Sequence, residues 1–317
     1  MKGKKISILG SGRVGSSIAY SLALDGICSE IVLIDIAKQL AEGEAMDIIQ
    51  GTPFSNEMDI YAGEYEDVAD SDIIIVTLGI ARKPGQSRIE LAQTNVNIIK
   101  DVMPKIANYA PNAIYIIVSN PVDILTYATL KVTNLSKNQV IGSGTLLDSS
   151  RLKAIVADKV EVASSNIHGY VLGEHGDSSV VPWSLLSIGG MSLEEYVEGN
   201  GISGEVTDIN NLHEIEQAVR ESGAKVIKNK GATHYAIAMS VTHLCKCILR
   251  NTHSILSLST LMEGQYGIED VCLSIPSVVG VRGLVNTLQP KLTEDEEQQL
   301  HNSAKVLKDI IKTLDFN

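Results

Sequence analysis

His175 lies in GEHGD, Gly173 to Asp177, and the upstream run GTLLDSSRLK sets Asp148 and Arg151 three residues apart, on neighbouring positions of one helix face. An imidazole carries protons near neutral pH. A carboxylate held against one of its nitrogens would fix the tautomer and raise the pKa, the arrangement of a general acid–base. Asp148 is the candidate carboxylate, but spacing alone does not bring it to His175, and a lone histidine is more often a satisfied structural residue than a catalyst. A second cluster, GIARKPGQSR from Gly79 to Arg88, sets Arg82, Lys83 and Arg88 around a Pro-Gly turn in an acidic chain. Three cations at one turn ask for an anion.

A third pattern, ILGSGRVGSSIAYSLALDG, carries Gly10, Gly12 and Gly15 between a strand pattern and a helix pattern, with Asp35 at the end of the next strand. Glycines at that spacing allow a tight turn, a close approach of backbone to a pyrophosphate, and close helix packing, with Arg13 and Val14 opening the helix whose amino end faces the phosphates. Asp35 can accept hydrogen bonds from ribose hydroxyls and would repel a 2′-phosphate, which favours NAD over NADP. A βαβ unit without a ligand is the bland alternative.

Elements that could position these groups alternate through the first half. KISILG, EIVLID, SDIIIVTLG and NAIYIIVSN are short β-branched runs with helix-like segments between most of them, which reads as a parallel sheet covered on both faces. After about Gly142 the pattern turns to helices over Leu146–Lys159 and Leu212–Lys228, with strand-like SNIHGYVLG and CLSIPSVVG among them. The spacing predicts a closing helix from about Thr293 to Leu314 and a surface loop over Glu198–Asp208. The fold class is therefore α/β: a Rossmann-type doubly wound parallel sheet domain, residues 1–143, followed by an α+β domain, residues 144–317, which the family resemblance set out below makes the substrate domain.

Composition excludes several classes. A formal charge of −12 with no concentrated basic face argues against nucleic acid, and no apolar run long enough for a membrane span or a secretory leader is present. Cys28, Cys245, Cys247 and Cys272 are too scattered for a disulfide framework, which points to a reducing cytoplasm. His243 and Cys247, four apart in THLCKC, would share a helix face and suggest a metal site, yet no further ligands are evident and the segment reads as amphipathic core, so no metal is expected.

Taken together, GSGRVG, SNPVDILTY, GSGTLLDSSR, GEHGD and the arginine-bearing RKPGQSR loop resemble the L-lactate/L-malate dehydrogenase family, in its bacterial lactate dehydrogenase-like branch, and the likeness runs nearly end to end. The resemblance implies NAD as cofactor, a small 2-oxo or 2-hydroxy acid as substrate, a place in central carbon metabolism, and a homo-oligomer, dimer or tetramer. It implies that His175 moves the proton, Asp148 orients it, Arg151 grips the substrate carboxylate, Arg88 polarises the carbonyl from a mobile loop, and Asn120 and Thr233 contact substrate. A non-catalytic NAD-binding sensor would have no need of Arg88, Asp148, Arg151 and His175 together.

Two positions bear on which acid. In the family the position of Arg82 is generally Gln where the substrate carries a methyl and Arg where it carries a second carboxylate. A dry arginine against a methyl is poorly compensated, so Arg82 favours oxaloacetate and L-malate over pyruvate and L-lactate. Glu174, Trp183 and Thr233 pull towards the lactate side, which stays as the alternative. Many relatives bind fructose 1,6-bisphosphate through an Arg and a His whose positions here hold Lys153 and His168. Lys153 lacks the planar fork that grips phosphate, so weak or absent activation is expected, the bland alternative being an exposed helix residue and a strand residue.

Overall fold

The computed structural model describes residues 3–80, 88–200 and 208–316, excluding the side chains of Arg88, Ile209 and Asn210. Six parallel strands form the centre of the large sheet: β1 (Lys5–Leu9), β2 (Glu30–Ile34), β3 (Asp59–Ala62), β4 (Ile73–Val76), β5 (Ile114–Ile117) and β6 (Val140–Gly142). Their spatial order, β6-β5-β4-β1-β2-β3, reverses direction between β1 and β4. At such a switch point the loops leaving neighbouring strands diverge and open a crevice at the strands' carboxyl ends, where ligands of doubly wound sheets bind. Ile6, Ile8, Ile73 and Ile75 are fully buried, each worth roughly 1.5–3 kcal/mol of burial, which is why β-branched runs rather than alternating ones mark these strands.

Helices cover both faces. On one side α1 (Arg13–Asp25), α2 (Lys38–Gly51) and α8 (Tyr235–Leu249) pack on the sheet; on the other lie α3 (Arg88–Tyr109), α4 (Val122–Val132) and α9 (Glu294–Ile311). The expected helices appear as α5 (Leu146–Val160) and α7 (Ile209–Lys230). The closing helix starts one residue later than expected because Thr293 is its cap, its hydroxyl accepting the Glu296 N–H while Glu296 returns the bond to the Thr293 N–H, and it ends at Ile311.

The strands of the second half divide between two sheets. CLSIPSVVG does form a strand, but β10 (Ser254–Glu263), β11 (Glu269–Gly280) and β12 (Gly283–Thr287) extend the first sheet antiparallel, joined where Ser259 pairs with Gly142. One nine-stranded sheet therefore runs through both halves of the chain. SNIHGYVLG contributes only β7 (Ile167–His168), in a small sheet with β8 (Ser187–Ile188) and β9 (Met191–Ser192). Of the expected loop, Glu198 and Gly199 instead close α6 (Leu193–Gly199), and residues 201–207 lie outside the described residues. A separate apolar core, including Leu152, Val156, Ile167, Leu186, Ile215 and Val219, holds α5 and α7 to the small sheet.

Candidate active site

The glycine run sits at the switch point. Gly10 leaves β1 with a φ of 98°, in the left-handed region, and a Cβ there would lie 2.9 Å from the Thr77 carbonyl oxygen. A Cβ on Gly15 would lie 1.9 Å from the Gly10 oxygen, so only glycine lets α1 rest directly on the loop. Gly12, by contrast, has nothing among the described residues within 4 Å of a built Cβ and caps α1 without a side-chain bond, followed by exposed Arg13 and half-buried Val14. Open space at a helix amino end whose N–H groups carry partial positive charge fits a pyrophosphate. Ser11 Oγ, fully buried in the same loop, has no hydrogen-bond partner among the described residues. Asp35 binds back to the loop, its Oδ2 accepting the Ser11 N–H at 2.6 Å and its Oδ1 the Ala37 N–H at 2.9 Å. Each oxygen keeps a lone pair for a ribose hydroxyl.

Asp148 and His175 meet. Asp148 lies in the first turn of α5, and its Oδ2 is 2.6 Å from His175 Nδ1 while its Oδ1 accepts a bond from Arg151 Nη1 at 2.9 Å. A carboxylate is an acceptor only, so the Nδ1 proton is fixed on the ring and Nε2 is the nitrogen free to trade protons. The three side chains are 9% exposed for Asp148, 29% for His175 and 17% for Arg151: the carboxylate is sealed behind an imidazole and a guanidinium that both reach the opening. Burial opposes charge on His175, but the charge and hydrogen bond of Asp148 outweigh it, Asp123 adds to them and Arg151 opposes, leaving the pKa above its usual value of 6.5. Burial likewise works against ionised Asp148, and His175 and Arg151 more than offset it, holding the carboxyl below its usual 3.8.

The other expected site residues are placed as follows. Asn120 ends the loop after β5, exposed, and its carbonyl accepts a bond from Asn95 Nδ2 at 2.8 Å. Thr233 lies half-buried in the turn between α7 and α8. Gly223 of α7 comes next to Arg151, a built Cβ lying 3.7 Å from Nη2. Arg82 and Lys83 fall outside the described residues; Arg88 is the first residue of α3, its side chain outside the description. Glu174 receives the Ser178 hydroxyl, and its N–H donates to Ser303 Oγ at 2.8 Å. Trp183 donates to buried Glu216 at 2.8 Å and belongs to the packing of the second half.

The bland expectation for Lys153 is corrected: it is half-buried, and burial lowers its pKa, while His168 is exposed on β7. His243 and Cys247 do lie side by side, 3.6 Å between Nε2 and Sγ, but among the described residues no group of three or more side chains could hold a metal. Sequence reasoning missed Asn95, which is 2% exposed and bonds both to the Asn120 carbonyl and, through Oδ1, to the Ile80 N–H at 3.0 Å, tying the loop after β5 to the entry of the cationic segment. It also missed Asp123, whose signal was an acid inside the otherwise apolar VDILTY run of a buried helix.

A doubly wound sheet with an open glycine loop at its switch point, and an imidazole–carboxylate pair set beside an arginine, define a dinucleotide-dependent oxidoreductase. Residues 4–142 match the family model of the lactate/malate dehydrogenase NAD binding domain, and residues 145–315 that of the lactate/malate dehydrogenase alpha/beta C-terminal domain. The chain is 45% identical over 313 residues to the L-lactate dehydrogenase of Acetivibrio thermocellus, covering 99% of this chain and 98% of that enzyme. It is 44% identical to L-lactate dehydrogenase 1 of Clostridium acetobutylicum, covering 99% of each. Among solved structures, the minor L-lactate dehydrogenase of Enterococcus mundtii in its ligands-bound form superposes with a TM-score of 0.95 at 36% identity, over 100% of both chains. The chain belongs to the lactate/malate dehydrogenase family. It is an NAD-dependent oxidoreductase acting on a CH–OH group, and NAD(H), which supplies or accepts the hydride, is its cofactor.

Proposed function

We propose that the chain interconverts pyruvate and L-lactate, with His175 as proton donor and acceptor. The observation that carries the proton-transfer role is the Asp148–His175 contact of 2.6 Å with Arg151 on the same carboxylate, an arrangement common to either acid. In the direction of reduction, the substrate carboxylate pairs with the outer face of the Arg151 guanidinium, a fork that lysine could not present. His175 Nε2 donates its proton to the carbonyl oxygen as C2 receives hydride, and Asp148 stabilises the imidazolium before the transfer. Arg88 stabilises the oxygen as charge develops, and Asn120 and Thr233 complete the substrate contacts. Gly10, Gly12, Arg13, Val14, Gly15 and Asp35 hold the dinucleotide. Residues 1–143 serve as the cofactor unit and residues 144–317 as the substrate unit.

Pyruvate is favoured by the L-lactate dehydrogenases at 42–45% identity and by Glu174, Trp183 and Thr233 in this chain. A second reading, oxaloacetate and L-malate, is favoured by Arg82 alone. The test is kcat/KM for NADH oxidation with each acid. A paired second carboxylate is worth roughly 1.5–3 kcal/mol, on the order of ten- to a hundredfold. A preference for oxaloacetate of about tenfold or more would overturn the pyruvate reading and leave the family unchanged; Arg82→Gln should then lower oxaloacetate turnover by at least about tenfold and raise pyruvate relative to it.

We further propose a homo-oligomer, dimer or tetramer, in the cytoplasm, with neither nucleic acid nor membrane as partner. Apolar side chains exposed on α1 and α8, which pack together, support self-association: Tyr20, Leu24, Tyr235 and Met239. Among the described residues no helix is long and apolar enough to cross a membrane, and all four cysteines are free and buried.

A further inference from the structure

Asp123 occupies the first turn of α4 and is 2% exposed. Its Oδ2 accepts the main-chain N–H of His175 at 2.8 Å, and its Oδ1 accepts the hydroxyl of Ser259 at 2.6 Å. Ser259 is fully buried on β10, at the rung where that strand joins β6. Three segments distant in sequence thus meet on one carboxylate: the helix after the Asn120 loop, the loop bearing His175, and the strand that extends the sheet.

The chemistry of the residue is more telling than the bonds. Both hydrogen-bond partners are neutral donors, and an amide oxygen would accept either of them. Burying a carboxylate without a cationic partner costs several kcal/mol unless its charge is used. Charged groups bearing on the neighbouring imidazole are Asp148 and Arg151 from α5 and Asp123 from α4, while Asp123 itself faces Glu174 of the His175 loop, the Ser259 hydroxyl and the thiol of Cys272, kept neutral by burial. His175 is the group that gains from the Asp123 charge, because Arg151 is already paired with Asp148.

We propose that Asp123 is a positioning residue for His175, pinning its main chain and placing a second negative charge behind an imidazole whose ring is held by Asp148. Burial pushes the Asp123 carboxyl up to about 6, against the Ser259 hydroxyl, the His175 N–H and the His175 charge, which hold it down. The charge is therefore present at neutral pH and disappears as the pH falls through about 6. The imidazolium is stabilised where the enzyme must hold a proton for the substrate.

The inference rests on His175 being the proton carrier, and the experiment separates the two. Asp123→Asn keeps the size and an acceptor for the His175 N–H and removes the charge. In wild-type and variant enzyme with NADH bound, the His175 imidazole is titrated by NMR and the pH dependence of kcat/KM for pyruvate is measured. The expected result is a downward shift of the imidazole titration on the order of 0.5 to 1 pH unit, matched by the kinetic limb, with the NADH dissociation constant within about twofold of wild type. An unshifted titration overturns the proposal, including the case in which the variant only melts earlier, as a purely structural bond would predict. A wild-type kinetic limb that does not follow the His175 titration overturns the proton-carrier role instead. Should the Asn variant fail to fold, Ser259→Ala leaves the carboxylate in place but removes a bond that keeps it ionised. Its imidazole titration should move the same way by a smaller amount, and no movement overturns the proposal equally.

Discussion

Asp148→Asn is the perturbation that most directly tests the acid–base pair. Both carboxylate oxygens accept in the folded protein, one from His175 Nδ1 and one from Arg151 Nη1. An amide has one acceptor oxygen and one donor nitrogen, so the variant leaves either the imidazole or the guanidinium facing a like donor. A hydrogen bond to a charged group contributes about 1.5–3 kcal/mol net, so roughly 2 kcal/mol of support for the imidazolium is lost, about thirtyfold in turnover of the oxo acid at neutral pH. The sign follows from the pKa directions. With Asp148 gone, burial lowers the His175 pKa that the carboxylate had raised above 6.5. Reduction needs the protonated ring, so the activity limb moves to lower pH and the variant recovers part of its deficit as the medium is acidified. Oxidation needs the neutral ring and should be impaired less. Stopped-flow reduction across pH 5 to 9, with binding of NADH followed by fluorescence, supplies the assay. An equal loss at every pH would refute the electrostatic reasoning and leave Asp148 as a packing residue. Stability carries the same signature. The raised His175 pKa contributes stability that is full below 6.5 and is lost as pH rises through the folded value; the lowered Asp148 pKa contributes stability lost as pH falls through its own folded value. The wild-type melting temperature should therefore show both dependences, and Asp148→Asn should lack them.

Asp35→Ala removes the acceptor of the Ser11 and Ala37 N–H groups as well as the charge proposed to face the ribose. NADH affinity should fall by about tenfold and the preference for NADH over NADPH should narrow; unchanged discrimination in fluorescence titrations would count against the Asp35 contact. Fructose 1,6-bisphosphate at millimolar concentration should leave the half-saturating pyruvate concentration nearly unmoved, because the half-buried Lys153 ammonium has neither the fork of an arginine nor a raised pKa. A drop of about tenfold would instead make Lys153 and His168 effector ligands.

The features that the amino-acid order alone determined are those settled by neighbours along the chain. Gly10, Gly12 and Gly15 belong to one loop and the helix it opens, and each glycine answers a clash or an opening within that loop and the adjoining strands. The Thr293 cap and the buried Ile runs of β1, β4 and β5 are equally local, because a helix end satisfies its N–H groups within one turn and a doubly covered strand shows as a β-branched run. Tertiary structure decided which distant groups share a charge. His175 and Asp148 are 27 residues apart, His175 and Asp123 52, and Ser259 and Asp123 136. Their union depends on β10 adding to the edge of β6, a backbone pairing that hydrophobic patterning does not specify, since a strand shows which face is buried but not which edge it will join. Asp123 read as one polar residue in an apolar helix until the fold set it against the His175 loop, where the low dielectric of the interior gives its charge a reach it would not have in water.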